Sequence, residues 1–225
     1  MITERSTYKE QLPVVDIQLS TLPVMEAFYT LQGEGFHQGK AAYFIRLGGC
    51  DVGCFWCDVK ESWDAALHPQ ISIQQITEQA KKEINQRSTD GHQPIIVITG
   101  GEPLMHDLDA LTLHLQEENF RTHIETSGSS PLSGHWNWIC LSPKKFKKPL
   151  PGGFAVADEL KVIVYNNSDF KWAEENAAQV SPGCKLYLQP EWSKMNEITP
   201  LIIDYIKANP RWQLSLQVHK YINIP

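Results

Sequence analysis

What the 225-residue chain lacks narrows its possibilities first. No apolar stretch approaches the ~20 residues needed to cross a bilayer. The N-terminus shows no basic-then-apolar leader pattern, so a secreted, disulfide-forming context is not expected. There is no basic excess either. Lys and Arg number 20 against 26 Asp and Glu, and the net charge of −6 is a poor match to a nucleic-acid scaffold. The one basic run, Lys144-Lys145-Phe146-Lys147-Lys148, reads as a solvated loop. Neither a G-x-G-x-x-G nor a Walker pattern occurs, so no phosphate cradle is indicated. No repeat, low-complexity segment or linker divides the chain, and 42% hydrophobic with 20% charged residues is an ordinary globular composition. A single domain over residues 1–225 is expected, with 1–22 as an N-terminal extension. Cysteine is scarce too: there are five, and three of them fall within eight residues.

Those three carry the chemistry. Cys50, Cys54 and Cys57 stand at the spacing C-x3-C-x2-C in a loop that follows the apolar run Ala42 to Leu47. Three close thiolates without a fourth suit an iron-sulfur cluster of the 4Fe–4S type, held by three irons and leaving the last open to an outside ligand. Gly48, Gly49 and Gly53 let the backbone turn tightly around it. Phe55 and Trp56 are expected to keep water away. Two other readings stay open. A structural zinc site would recruit its fourth ligand from Cys140, Cys184 or a histidine. A disulfide would leave one of the three thiols unpaired. Cys140 and Cys184 stand alone on expected strands and read as core thiols.

Along the chain, Val24 to Thr30 reads as a first strand running into Gln32-Gly33-Glu34-Gly35. A carboxylate between two glycines suggests close approach to a ligand, or simply a polar turn. Arg46 lies four residues before Cys50, where a guanidinium could grip a carboxylate or form a structural ion pair. Residues 47–71 form the cluster loop and an irregular insertion. Ser72 and Gln75 resemble a capping box, opening a helix with the stripe Ile73, Ile76, Ala80 and Ile84. After Gln93-Pro94, Ile95 to Thr99 is a continuous apolar run of the kind buried on both faces, and it empties into Gly100-Gly101-Glu102-Pro103. Exposed carbonyls and the Glu102 carboxylate there suit a cationic amine, or the glycines simply make a tight strand-to-helix turn.

Asp107 is placed to cap a helix carrying Leu108, Leu111 and Leu115. Strands are expected at Arg121–Thr126, Asn137–Leu141, Glu159–Tyr165, Lys185–Leu188 and Gln213–Val218, with helices near Asp169–Ala178 and Met195–Ala208. This alternation implies an α/β fold with a mostly parallel sheet. Only about six strand–helix units fit the length, so an open partial (β/α)6 barrel is expected rather than a closed eightfold one.

The three-cysteine loop after one strand, with Gly100-Gly101-Glu102-Pro103 after a later one, resembles the radical S-adenosylmethionine (SAM) superfamily. Tyr29 to Gly35, Phe44-Ile45-Arg46 and the tail Gln217-Val218-His219-Lys220-Tyr221-Ile222-x-Ile224-Pro225 resemble the 7-carboxy-7-deazaguanine synthase family. Glu125-Thr126-Ser127-Gly128, Ser142-Pro143-Lys144, Glu159-Leu160-Lys161 and Gln189-Pro190 follow that family's pattern and order. The resemblance implies a cytoplasmic ring-contracting lyase with a radical SAM barrel, one 4Fe–4S cluster and SAM. It would turn 6-carboxy-5,6,7,8-tetrahydropterin into 7-carboxy-7-deazaguanine with loss of ammonia, on the way to queuosine. It also implies a homodimer and a reducing donor such as flavodoxin, with no direct nucleic-acid or membrane partner.

The same resemblance implies site roles. Cys50, Cys54 and Cys57 hold the cluster, while SAM meets Trp56, Cys57, Asp58, Gly101, Glu102, Ser142, Pro143, Lys144 and Gln189. The substrate meets Leu31, Gln32, Gly33, Glu34, Arg46, Thr99, His219 and the terminal carboxylate of Pro225, with Glu125 as a further pocket residue. Residues added after Pro225 are then expected to impair substrate binding. One position departs from the family. Its Mg2+-binding threonine, two residues after the third cysteine, is Val59 here. Mg2+ wants hard oxygen ligands, which leaves it to Asp58, substrate and water, or makes it dispensable. The rival readings are an activase of glycyl-radical enzymes and a non-catalytic iron-sulfur or zinc protein, neither of which accounts for the QGEG segment and the tail.

Overall fold

Nine strands form one sheet in the computed structural model, which describes residues 16–85 and 93–225. They are β1 (Thr21–Leu31), β2 (Ala41–Leu47), β3 (Gln70–Ser72), β4 (Ile95–Gly100), β5 (Arg121–Thr126), β6 (Trp138–Leu141), β7 (Glu159–Val164), β8 (Lys185–Pro190) and β9 (Trp212–Leu214). Their order across the sheet is β3-β1-β2-β4-β5-β6-β7-β8-β9. From β2 to β9 every neighbouring pair is parallel, whereas β1 runs antiparallel to both β2 and β3. The sheet does not close, as a partial barrel requires.

Side chains alternate across each strand, and that period separates core from cavity. On β2, Tyr43, Ile45 and Leu47 pack under helices, while Phe44 and Arg46 face the concave side and line its cavity. On β4, Ile96 and Ile98 join the same core, and Thr99 lines the cavity. On β7, Leu160, Val162 and Val164 enter a second core, which leaves Lys161 and Ile163 on the inner wall.

The helices pack against the strands, except the last, which brings His219 to the cavity wall. They are α1 (Ile73–Asn85), α2 (Asp109–Glu117), α3 (Pro151–Val156), α4 (Ser168–Ala177), α5 (Met195–Ala208) and α6 (Val218–Ile222). The capping box at α1 forms as expected: Gln75 N–H donates to Ser72 Oγ at 3.2 Å and Ser72 N–H to Gln75 Oε1 at 3.3 Å. Ile73, Ile76, Ala80 and Ile84 of α1 are buried, each large apolar side chain contributing roughly 1.5–3 kcal/mol.

Several boundaries differ from the sequence reading. β1 begins at Thr21, so the last two residues of the expected 1–22 extension are strand, and residues 1–15 lie outside those described. The insertion contains two short 3-10 turns, Lys60–Ser62 and Ala65–Leu67, before β3. Leu108 rather than Asp107 is the N-cap of α2, though the Asp107 carboxylate accepts the Asp109 N–H at 3.0 Å. α3 was not foreseen; it opens on Pro151, which suits a first helical position despite the two glycines behind it. Gln213–Val218 does not run on as one strand. Ser215 N–H donates to the Leu188 carbonyl at 2.9 Å, and Val218 N–H to that of Gly33 at 3.0 Å, so the backbone leaves the sheet edge and turns into α6.

Candidate active site

The C-terminal ends of the parallel strands surround a cavity of about 280 Å³. Cys50, Cys54 and Cys57 all line it. Cys57 N–H donates to the Cys54 carbonyl at 3.0 Å, and Gly49 and Gly53 take φ values of +105° and +74° that few other residues adopt. The turn after β4 clasps this loop through Gly101 N–H to Leu47 O (3.1 Å) and Glu102 N–H to Gly49 O (2.8 Å). A Cβ on Gly101 would lie 2.3 Å from the Gly49 carbonyl oxygen and 2.6 Å from Cys50 Cβ. Gly101→Ala is therefore expected to push the Cys50 segment outward, cutting iron uptake on anaerobic reconstitution to under about half of wild type. Iron and sulfide analysis checks this.

Burial raises the Cys50 thiol and lifts Cys54 to about 11, with Lys144 pulling the latter back down. Among the described residues no three His, Cys, Asp or Glu side chains converge on a single ion. A cluster spreads its cysteines over separate irons, so the donor set fits a three-cysteine cluster better than mononuclear zinc. Trp56 lines the cavity, but Phe55 does not. It is 58% exposed, with its ring edge-on to Phe146 and Tyr165 on the rim, and so cannot shield the cluster as expected.

Asp58, Gly101, Ser142, Lys144 and Gln189 line the same cavity wall. Lys144 is not part of a solvated run. It turns inward, donating to Ser142 O (2.6 Å) and Ser142 Oγ (2.7 Å), and burial lowers its pKa. Lys145 and Lys147 pair with Asp169 (2.5 Å) and Asp51 (2.6 Å). Two expected SAM contacts, Pro143 and Glu102, do not line the cavity. Glu102 is 1% exposed and its carboxylate is already taken. It accepts from Thr126 Oγ1 (2.5 Å), Ser127 N–H (2.8 Å), Leu104 N–H (3.1 Å) and Ser127 Oγ. It pins the β4 turn to the β5 turn instead of meeting an amine.

Leu31, Gln32, Gly33, Glu34, Arg46, Thr99, His219 and Pro225 all line the same cavity. Lys161, only 3% exposed, bridges Glu34 and Glu125, the latter at 3.1 Å. Gln32 Nε2 donates to Glu125 Oε1 and Gln217 Nε2 to Glu34 Oε1, each at 2.9 Å. Burial alone would raise Glu34, but the Lys161 charge and hydrogen bond, with that of Gln217, hold it at about 2. A plain polar turn is thereby ruled out for Glu34. Arg46 makes the structural ion pair of its two readings, Nε meeting Glu26 at 2.6 Å, and the residue also lines the cavity. Gly33 leaves room for the tail: a Cβ there would lie 2.2 Å from His219 Nδ1. Beneath this array the His37 and His123 rings lie 4.6 Å apart with their planes tilted by 43°, and burial lowers them to about 4 and about 3, so both are neutral near pH 7.

Lys161 and Gln217 were seen in the sequence only as members of motifs. A lysine inside the apolar strand Glu159-Leu160-Lys161-Val162-Ile163-Val164 was the available signal, because a buried charge demands a partner. Phe28, on β1, and Trp192, in a 3-10 turn after β8, also line the cavity and were not singled out in the sequence, while Phe44 was seen there only as a member of a motif.

Comparison with known proteins agrees with this geometry. The model of the Radical SAM superfamily matches residues 44–140. The chain is 57% identical over 204 residues to a 7-carboxy-7-deazaguanine synthase of Flavobacterium psychrophilum, covering 91% of this chain and 93% of that protein. It is 45% identical over 214 residues to the enzyme of the same name from Synechocystis, covering 94% and 98%. The crystal structure of QueE from Escherichia coli matches with a TM-score of 0.75 at 32% identity, over 88% of this chain and 95% of that one. Identity at this level over nearly the full length of both partners leaves one assignment: the chain belongs to the 7-carboxy-7-deazaguanine synthase family of radical SAM enzymes.

Proposed function

We propose that this chain converts 6-carboxy-5,6,7,8-tetrahydropterin into 7-carboxy-7-deazaguanine with release of ammonia, a radical SAM ring contraction on the route to queuosine. The observation that carries the reading is a single cavity lined both by the three cysteines and by the Glu34–Lys161–Glu125 array with Arg46. Cys50, Cys54 and Cys57 would hold the 4Fe–4S cluster. When bound, cluster and SAM supply a 5′-deoxyadenosyl radical able to take a hydrogen atom from the substrate carbon set before it.

What the protein adds is placement and dryness, because so reactive a species attacks any C–H bond within reach. Trp56, Asp58, Gly101, Ser142, Lys144 and Gln189 bind on the SAM side. On the substrate side Gln32, Glu34 and Glu125 offer acceptors to ring N–H groups, Arg46 meets the carboxylate, and Leu31, Gly33, Thr99, His219 and Pro225 complete the wall. Arg46→Lys keeps the charge but loses the planar fork, so KM for the pterin rises ~10-fold or more with kcat less affected. Steady-state kinetics under anaerobic conditions measures it.

Mg2+ does not fit as the family pattern implies. Val59 lines the cavity without an oxygen, and Asp58 Oδ2 is taken by Lys220 Nζ at 2.6 Å. A homodimer, a flavodoxin-like donor and a cytoplasmic location complete the proposal. All five cysteines are free thiols, which suits a reducing compartment. Among the described residues no helix is long and apolar enough to cross a membrane.

The test is anaerobic reconstitution with iron and sulfide, followed by SAM, dithionite and the tetrahydropterin. Ammonia and 7-carboxy-7-deazaguanine should form together in equal amounts. Cofactor cleavage without ammonia, or SAM left intact, overturns the reading.

A further inference from the structure

We infer that the Lys220 ammonium takes the place of a divalent cation beside the third cluster cysteine, so that this chain binds and turns over its substrate without Mg2+. The inference rests on the function proposed above and on one set of contacts. Next to Cys57, the side chains on offer to a hard cation are those of Asp58 and Val59, and valine has none of the oxygens such an ion needs. Asp58 Oδ2 instead receives Lys220 Nζ at 2.6 Å. The same ammonium donates to Gln217 Oε1 at 3.0 Å and stands 4.9 Å from the centre of the Trp192 ring. A carboxylate, an amide oxygen and an aromatic face together satisfy a group with three N–H donors.

Lys220 is not itself on the cavity wall, whereas Asp58, Gln217 and Trp192 are. It is therefore a positioning residue. Gln217, held by Lys220 through its carbonyl oxygen, passes its amide N–H on to Glu34 at 2.9 Å. The line Asp58–Lys220–Gln217–Glu34 thus joins the cluster loop to the substrate loop, a connection a bridging metal ion could otherwise make. A second cation drawn to Asp58 would meet the ammonium already there, and like charges at that range repel.

The experiment titrates Mn2+ into the anaerobically reconstituted, chelator-treated protein with SAM and the tetrahydropterin present, reading free Mn2+ by electron paramagnetic resonance. No protein-bound Mn2+ is expected at up to one ion per chain, and kcat/KM should lie within about twofold with and without added Mg2+. One bound Mn2+ per chain, lost in Asp58→Asn, overturns the inference; so does a chelator-induced loss of turnover that Mg2+ restores. The positioning role is read separately. Lys220→Met should raise KM for the pterin ~10-fold with kcat little changed, and Lys220→Arg should recover most of it. An unchanged KM in Lys220→Met refutes that role. If no deazaguanine forms under any metal condition, the proposed function fails instead, and the Mn2+ titration still decides the metal question.

Discussion

Lys161→Met is expected to destabilise the fold by about 3–5 kcal/mol, because it leaves Glu34 and Glu125 facing one another without the cation between them. Both carboxylates belong to the cavity wall, so kcat/KM should fall by about 100-fold or more. Stability and activity can be separated. Adding Glu34→Gln and Glu125→Gln to Lys161→Met removes the stranded charges, which should recover most of the stability and none of the activity. Urea unfolding measures the first and product formation the second. If the single variant keeps wild-type stability, the array is not a buried ion network.

The pH dependence follows from the same residues. Glu34 is lowered from 4.5 to about 2 in the folded chain, the Lys161 and Gln217 interactions outweighing burial. A depressed carboxylate contributes stability that is complete above its unfolded value, near 4.5, and fades as the pH falls toward 2. The shift corresponds to about 3 kcal/mol. Urea midpoints should therefore drop between about pH 5 and pH 2 more steeply in wild type than in Glu34→Gln.

The second large effect is expected at Glu102. Glu102→Ala removes the common acceptor of Thr126 Oγ1, Ser127 N–H, Ser127 Oγ and Leu104 N–H in a site with almost no water access. Hydrogen bonds to a charged acceptor are worth about 1.5–3 kcal/mol each and do not add, so a loss of about 3–4 kcal/mol is expected. For a chain of this size that lowers Tm by roughly 10 °C. SAM affinity should fall as well, although Glu102 does not face the cavity. The reason is mechanical, since the carboxylate ties the Gly100-Gly101 turn to the Thr126-Ser127 turn and both turns line the cavity. Glu102→Gln should lose less, its amide opposing one of the donors while its carbonyl still accepts from another. Calorimetry together with SAM binding distinguishes this linking role from direct ligation. Normal Tm with lost SAM binding would restore the ligand role.

The chemistry at the cysteine end was legible because all its parts lie within eight consecutive residues. The alternation of strands with helices and the open, mostly parallel sheet followed from period and length, which are local signals read many times over. What could not be read depends on contacts made across the sheet. Three of the four donors to Glu102 come from 24 and 25 residues away, so GGEP looks the same whether its carboxylate faces a ligand or a neighbouring turn. Lys161 meets Glu34 across 127 positions. The tail misled in another way: Gln213-Leu214-Ser215-Leu216-Gln217-Val218 alternates like a strand, yet its backbone hydrogen bonds pass to Leu188 and then to Gly33.

An unclosed barrel leaves two bare rows of peptide groups, and such rows invite stray chains to add on as extra strands. In this molecule β3 and β9, at the two ends of the sheet, are three residues long each. At β9 a foreign segment therefore finds only a stub to zip against, whereas β3 covers only Thr21–Pro23 of β1, so among the described residues the outer edge of β1 from Ala27 to Leu31 is where an added strand would pair.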